Sequence, residues 1–258
     1  MSDALLKIES LSATYDIDLP EVVTDVSFEV APGEIVCIVG ESGSGKSTLV
    51  KAIHGLGGLI ITGGKVFFDG KDLAEMDGKE RRKLMGTGIA LIPQDPAASF
   101  NPIRKYDKQF KEALAGHGMD YDEDMIADML ERIGIKDGKA VLASRPYELS
   151  GGMNQRVAIA AAMMFEPKIL LCDEATSALD VTTAGAVVDE LMKIRDQNNT
   201  AILMVTHHLG IAKRMADSIG IMKNGRLVEY GSSKHIFESP EDEYTKNLMR
   251  DVPRLKKD

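Results

Sequence analysis

The eight residues Gly40-Glu41-Ser42-Gly43-Ser44-Gly45-Lys46-Ser47 carry the full G-x-x-x-x-G-K-[ST] spacing. Glycines at those places let the backbone fold into a nest whose N–H groups converge on phosphate oxygens, and a helix opening behind it adds positive potential. Lys46 has the reach for β- and γ-phosphates, and the Ser47 hydroxyl is the hard oxygen donor that Mg²⁺ prefers. With Thr48, this stretch is the expected nucleotide-binding segment. Asp173 and Glu174 form a second candidate pair, placed after the apolar run Ile169-Leu170-Leu171-Cys172. Carboxylates at the C-terminal end of a core strand stand where open parallel sheets bind ligands. Asp173 suits support of Mg²⁺, and Glu174 suits orienting and polarising the water that attacks a γ-phosphate. Two acids after a strand also serve simply as a helix cap, and it is the phosphate loop that gives this pair a chemical reading.

These residues need elements to hold them. Ile35-Val36-Cys37-Ile38-Val39 is a continuous apolar run suited to a parallel strand covered on both faces, and it leads straight into the loop. Residues 169–172 and Ala201-Ile202-Leu203-Met204-Val205 read the same way, which predicts three central strands. Before them, Leu5, Ile8 and Leu11 and then Val26, Phe28 and Val30 alternate with polar residues, the pattern of an antiparallel layer with one wet face. Pro32-Gly33 marks the turn between the two patterns. Between the first two core strands, Met125, Ile126, Met129, Leu130 and Ile133 recur at helical spacing, with an expected start at Asp120 and stop at Gly134. An inserted helical lobe follows. Leu209–Met215 reads as helix, Ile219–Met222 as strand, Asn224-Gly225 as a hairpin turn, and the tail from Lys256 as frayed. Glycine-rich positions 55–64 read as a turn region.

Composition bounds the rest. The 258 residues are 44% hydrophobic and 28% charged, which excludes a disordered or fibrous chain. Thirty-one basic against 40 acidic residues give a net charge of -9, which argues against nucleic acid as a general partner. The longest apolar run, Val157 to Phe165, falls well short of the roughly 20 residues a membrane span needs. The first ten residues lack the pattern of a signal peptide, so a cytoplasmic location is expected. Two cysteines, Cys37 and Cys172, give neither a disulfide framework nor a metal cluster.

Further strings identify a family. Leu149-Ser150-Gly151-Gly152 resembles the signature of the ATP-binding cassette (ABC) family, with Gln94 in its Q-loop position, Ser177-Ala178-Leu179-Asp180 in its D-loop and His207 as its switch histidine. Tyr15 stands where an aromatic residue stacks on adenine. The resemblance covers nearly the whole chain and implies a P-loop α/β fold: a RecA-like core, an antiparallel β-subdomain and an inserted helical subdomain. It implies one nucleotide-binding domain over residues 1–258, with core and β-subdomain in 1–93 and 165–235, Q-loop and helical subdomain in 94–164, and a C-terminal extension in 236–258. It further implies ATP and Mg²⁺ as cofactors, Lys46, Gln94, Glu174 and His207 as the catalytic set, and Ser47, Gln94 and Asp173 around the metal. Tyr15, residues 40–48, Ser150, Gly151, Gly152 and Asp180 would bind nucleotide. The signature of one domain would close over the γ-phosphate held by another in a head-to-tail dimer, where a serine hydroxyl and free helix N–H groups meet developing negative charge.

Within the family, Ile92-Pro93-Gln94-Asp95-Pro96 with Ser99-Phe100-Asn101-Pro102, and Met153-Asn154-Gln155-Arg156-Val157 after the signature, resemble the peptide and nickel importer branch. Gly231 through Tyr244-Thr245 and Pro253 is similar to that branch's C-terminal extension, although Glu243 replaces its proline. His208 replaces the usual aspartate after the switch histidine. The resemblance implies an ATPase at the cytoplasmic face of the inner membrane that energises uptake of di- or oligopeptides, or of nickel or a metal chelate. Its partners would be two transmembrane permease subunits, a second ATPase subunit (a paralogue or a second copy) and an extracytoplasmic solute-binding protein. The alternative is a soluble ABC ATPase that remodels a nucleic-acid or protein assembly.

Overall fold

A computed structural model describes residues 4–176 and 179–250. The chain divides into two compact units, one from the described residues of Met1–Met76 and Ala201–Asp258, the other from Asp77–Thr200. Ser177, Ala178, Pro253 and the tail from Lys256 lie outside the described residues.

In the first unit the alternating N-terminal segments form β1 (Leu6–Thr14) and β2 (Val23–Val30), paired antiparallel with Leu6 opposite Val30 and Ile8 opposite Phe28. Leu6, Ile8, Val26, Phe28 and Val30 are buried, so the period-two pattern does mark the covered face. The glycine-rich stretch turns as expected over residues 55–59 and then departs from expectation. β4 (Ile60–Phe68) begins inside it and runs through Gly63 and Gly64 along the other side of β1. Pairing with β1 on this edge overrides the weak strand propensity of glycine, with two register shifts along the pair. The short β5 (Lys71–Asp72) closes the sheet in the order β2-β1-β4-β5.

The same unit holds β3 (Ile35–Val39), every residue of which is buried. It pairs in parallel with β8 (Ala201–Thr206) on one side and β9 (Ser218–Lys223) on the other. β10 (Arg226–Ser232) returns antiparallel on β9 across Asn224 and Gly225, both at positive φ as a type I′ turn demands. The helices here are α1 (Lys46–His54), α8 (Leu209–Met215), α9 (Ser233–Glu238) and α10 (Glu243–Arg250).

The second unit pairs β6 (Ile89–Ile92) in parallel with β7 (Ile169–Asp173). Its helices are α2 (Gly78–Thr87, kinked at Met85 and Gly86), α3 (Tyr106–Gly116), α4 (Glu123–Arg132), α5 (Gly138–Ala143), α6 (Gly151–Met163) and α7 (Val181–Asn198). α4 starts later than expected. Its cap is Asp122, whose carboxylate accepts from Met125 N–H at 3.1 Å, so the nearer acid takes the capping role from Asp120. Ile126, Ala127, Leu130 and Ile133 form the buried face while Met125 is exposed. Gly134, at φ 86°, ends the helix as expected.

Candidate functional site

The phosphate loop leaves the end of β3 and enters α1 in the first unit. Its glycines are there for space as much as for conformation. A Cβ on Gly40 would stand 2.2 Å from the backbone oxygen of Met222, and one on Gly45, at φ 102°, would stand 2.7 Å from that of Val22. Gly45 is the N-cap residue of α1 and brings no side chain to that helix end, and no acid occupies the first turn. The N-terminal N–H groups are therefore offered to an external anion rather than to a capping side chain.

Lys46 is almost fully buried and lies across this loop. Its ammonium donates to the carbonyls of Gly40 and Glu41, each at 2.8 Å, and to Ser44 Oγ at 3.4 Å. These three acceptors are neutral groups that a phosphate oxygen can outcompete. The β9–β10 hairpin backs the loop, with Gly225 N–H donating to Ser44 O at 2.9 Å.

Two more expected residues stand in this unit. Tyr15 is half exposed, and its hydroxyl lies 3.3 Å from Thr48 Oγ1, so the strand end that carries the ring is tied to the first turn of α1. His207 follows β8 and is exposed, its ring 4.0 Å from that of His208 between centroids. His208 occupies the N-cap position of α8 without a side-chain cap bond, and its backbone N–H donates to Thr206 Oγ1 at 3.0 Å.

In the second unit, Asp173 ends β7 in a buried position and Glu174 follows at φ 48°. A non-glycine residue held at positive φ is strained, and such strain persists where the surroundings over-determine it. Glu174 Oε2 accepts from Gln94 Nε2 at 3.1 Å, so the loop after β6 and the loop after β7 bring these two together. Burial pushes the thiol of the neighbouring Cys172 up to about 12, which leaves an inert thiol beneath the acids.

The signature serine caps α6. Ser150 Oγ accepts from Met153 N–H at 3.3 Å and remains exposed, with Gly151 exposed beside it. Asp180 caps α7, accepting from Thr183 N–H at 3.0 Å and from the Thr183 hydroxyl at 2.7 Å, and these bonds hold its carboxyl below the ordinary range. Gly152 approaches Leu179 closely enough that a Cβ would lie 3.3 Å from Leu179 Cδ2. A buried pair escaped the sequence reading: the Tyr106 hydroxyl donates to Asn154 Oδ1, and Asn154 Nδ2 donates to Pro146 O at 3.0 Å just before the signature. Nothing in the polar run Asn154-Gln155-Arg156 marks Asn154 as the buried partner of a residue 48 positions away.

Each unit carries oxygen donors suited to a hard divalent cation: Ser47 offers a hydroxyl in the first, and Gln94 and Asp173 offer amide and carboxylate oxygens in the second, all of the kind Mg²⁺ takes while keeping several waters. The nest, with a lysine and a helix start lacking acids, fits a nucleoside polyphosphate.

The ABC transporter profile matches residues 23–177, and the chain belongs to that family. Relatives include the dipeptide transport ATP-binding protein DppD of Escherichia coli strain K12, 39% identical over 263 residues, which cover 99% of this chain and 80% of that one. The oligopeptide transport ATP-binding protein OppD of Lactococcus lactis subsp. cremoris strain SK11 is 35% identical over 259 residues, covering 98% and 77%. Among solved structures, the ATP-binding cassette MJ0796 in a dimeric post-hydrolysis state bound to ADP and Pi superimposes with a TM-score of 0.76 at 25% identity, covering 88% of this chain and 98% of that one.

Proposed function

We propose that this chain is the ATP-hydrolysing subunit that energises an ABC importer of di- or oligopeptides. The observation that carries the reading is the phosphate nest, with Lys46 drawn across it, in a chain whose relatives are named as dipeptide and oligopeptide transport ATP-binding proteins. Those names favour peptides over the nickel or metal-chelate solutes of the same branch.

In this reading the ammonium of Lys46 exchanges its carbonyl partners for β- and γ-phosphate oxygens. Ser47, Gln94 and Asp173 would hold Mg²⁺, which when bound neutralises charge on the transferring phosphoryl group. Glu174 orients the attacking water and accepts its proton, with Gln94 holding the carboxylate until water takes its place. His207 contacts the γ-phosphate, and Tyr15 carries the adenine. Ser150 and the N-terminus of α6 meet the γ-phosphate held by a second ATPase subunit, so that ATP closes the dimer and hydrolysis opens it.

Partners are two permease subunits, a second ATPase subunit and an extracytoplasmic solute-binding protein. Among the described residues no helix is long and apolar enough to cross a membrane, in keeping with a peripheral subunit held by permeases at the cytoplasmic face. Purification of the tagged chain from its native membranes in mild detergent, with mass spectrometry and an ATPase assay, tests the reading. Two permeases, a second ATPase subunit and vanadate-sensitive turnover are expected. Recovery with ribosomal or repair proteins and no permease would overturn it in favour of assembly remodelling.

A further inference from the structure

The C-terminal helix α10 reaches the phosphate loop. Glu41 N–H donates to the Tyr244 hydroxyl at 3.4 Å, across 203 residues of sequence. The ring is held on its other side by Lys223, whose ammonium lies 4.4 Å from the ring centroid. Lys223 leads directly into the Asn224-Gly225 turn, whose Gly225 N–H donates to the loop at Ser44 O. One tyrosine thus spans two structures that both grip the nest.

The start of α10 is itself anchored. Glu229, nearly buried on β10, accepts from the backbone N–H groups of Glu241 at 2.8 Å and Asp242 at 3.2 Å. Asp242 Oδ1 then accepts from Tyr244 N–H at 2.8 Å and Thr245 N–H at 3.2 Å. Tyr244 therefore arrives at the loop on a fixed arm, with little side-chain entropy left to lose.

We propose that Tyr244 is a positioning residue for the phosphate loop, and that docking of α10 and nucleotide binding stabilise one another. The inference rests on the reading that the loop holds ATP. Glu41 is one of the variable positions of the nest, and its amide orientation decides whether the neighbouring N–H groups converge on phosphate. If the docked arm favours the converged loop, reciprocity requires that nucleotide in the loop favour the docked arm. The C-terminal extension then acts as an input to ATP affinity rather than as a passive tail.

The test uses the full chain and Mg·ADP as probe. Calorimetric titration of Tyr244→Phe, which removes only the hydroxyl, is expected to show a Kd weaker by about 3–10-fold, the effect of one modest hydrogen bond. Glu229→Gln, which loosens the arm without touching the loop, should shift Kd in the same direction. In the wild-type chain, hydrogen exchange of residues 243–250 should slow when Mg·ADP is added, and this readout needs no variant. An unchanged Kd in Tyr244→Phe, with exchange of 243–250 indifferent to nucleotide, would overturn the link. Failure of the wild-type chain to bind Mg·ADP at all would instead overturn the function proposed above.

Discussion

Gln94 Nε2 lies 3.1 Å from Glu174 Oε2 although 80 residues separate the two in sequence. The amide is a neutral donor, so the bond holds the Glu174 carboxylate in place and can be exchanged for water without displacing a charge. The Glu174 backbone is itself held in the left-handed region at φ 48°, a conformation that costs a glutamate free energy.

Glu174→Gln should therefore lose hydrolysis by roughly 10²–10⁴-fold, the contribution of a positioned general base, while still binding ATP. Phosphate release together with equilibrium nucleotide binding checks this. Turnover at the wild-type rate would remove Glu174 from the mechanism.

Lys46→Ala takes away a buried ammonium that donates to Gly40, Glu41 and Ser44. Charge-assisted bonds are worth about 1.5–3 kcal/mol, so ATP affinity should drop roughly 10–100-fold. Lys46→Arg should not restore it, because a planar fork cannot replace a compact ammonium in so tight a loop. Competition binding with a fluorescent nucleotide measures both.

Tyr106→Phe leaves the buried Asn154 Oδ1 without its hydroxyl donor. The expected loss is about 1–3 kcal/mol, read as a fall of several degrees in Tm. A variant as stable as the wild type would show that Asn154 finds another donor.

Asp72 gives a pH prediction. Its carboxyl is held below the ordinary range by the backbone N–H of Ala74, at 3.0 Å, and then by Lys65 at 3.0 Å, against the opposing effect of burial. A lowered folded pKa contributes stability that is fully present above the unfolded Asp value, about 3.9, and is lost as pH falls through the folded value. Asp72→Asn should accordingly destabilise the protein at neutral pH and converge with the wild type in strong acid. Urea unfolding at pH 7 and near pH 2 distinguishes this from a pH-independent loss.

The parts of the fold visible in the sequence are those with a strong local signal. The continuous run at 35–39 and the alternation at 26–30 state a strand and its covered face directly, and Asn224-Gly225 states a hairpin because few other dipeptides adopt two positive φ values in succession. The phosphate loop was legible for the same reason: its spacing is a local geometric requirement. What escaped depends on partners far away in sequence. β4 through Gly63 and Gly64 exists because β1 is there to pair with, and β6 is only four residues long. Which of Asp120 and Asp122 caps α4 is decided by a displacement of two residues, below the resolution of a capping pattern. The Tyr106–Asn154 bond and the Tyr244 contact with Glu41 join positions that no periodicity links.

The hairpin behind the phosphate loop has a consequence for synthesis. β3 is flanked by β8 and β9, both beyond residue 200, and the loop it carries is shaped against Met222 and Gly225. On the ribosome, Lys46 emerges about 180 residues before that hairpin, a wait of about 10–35 s at ordinary elongation rates. Through most of that interval the apolar strand before the loop has neither neighbour, and Gly40 lacks the Met222 backbone it packs against. A nascent chain stalled near residue 200 should expose residues 35–39 to chaperones and ignore nucleotide, and the ability to bind it should arrive abruptly with the last quarter of the chain.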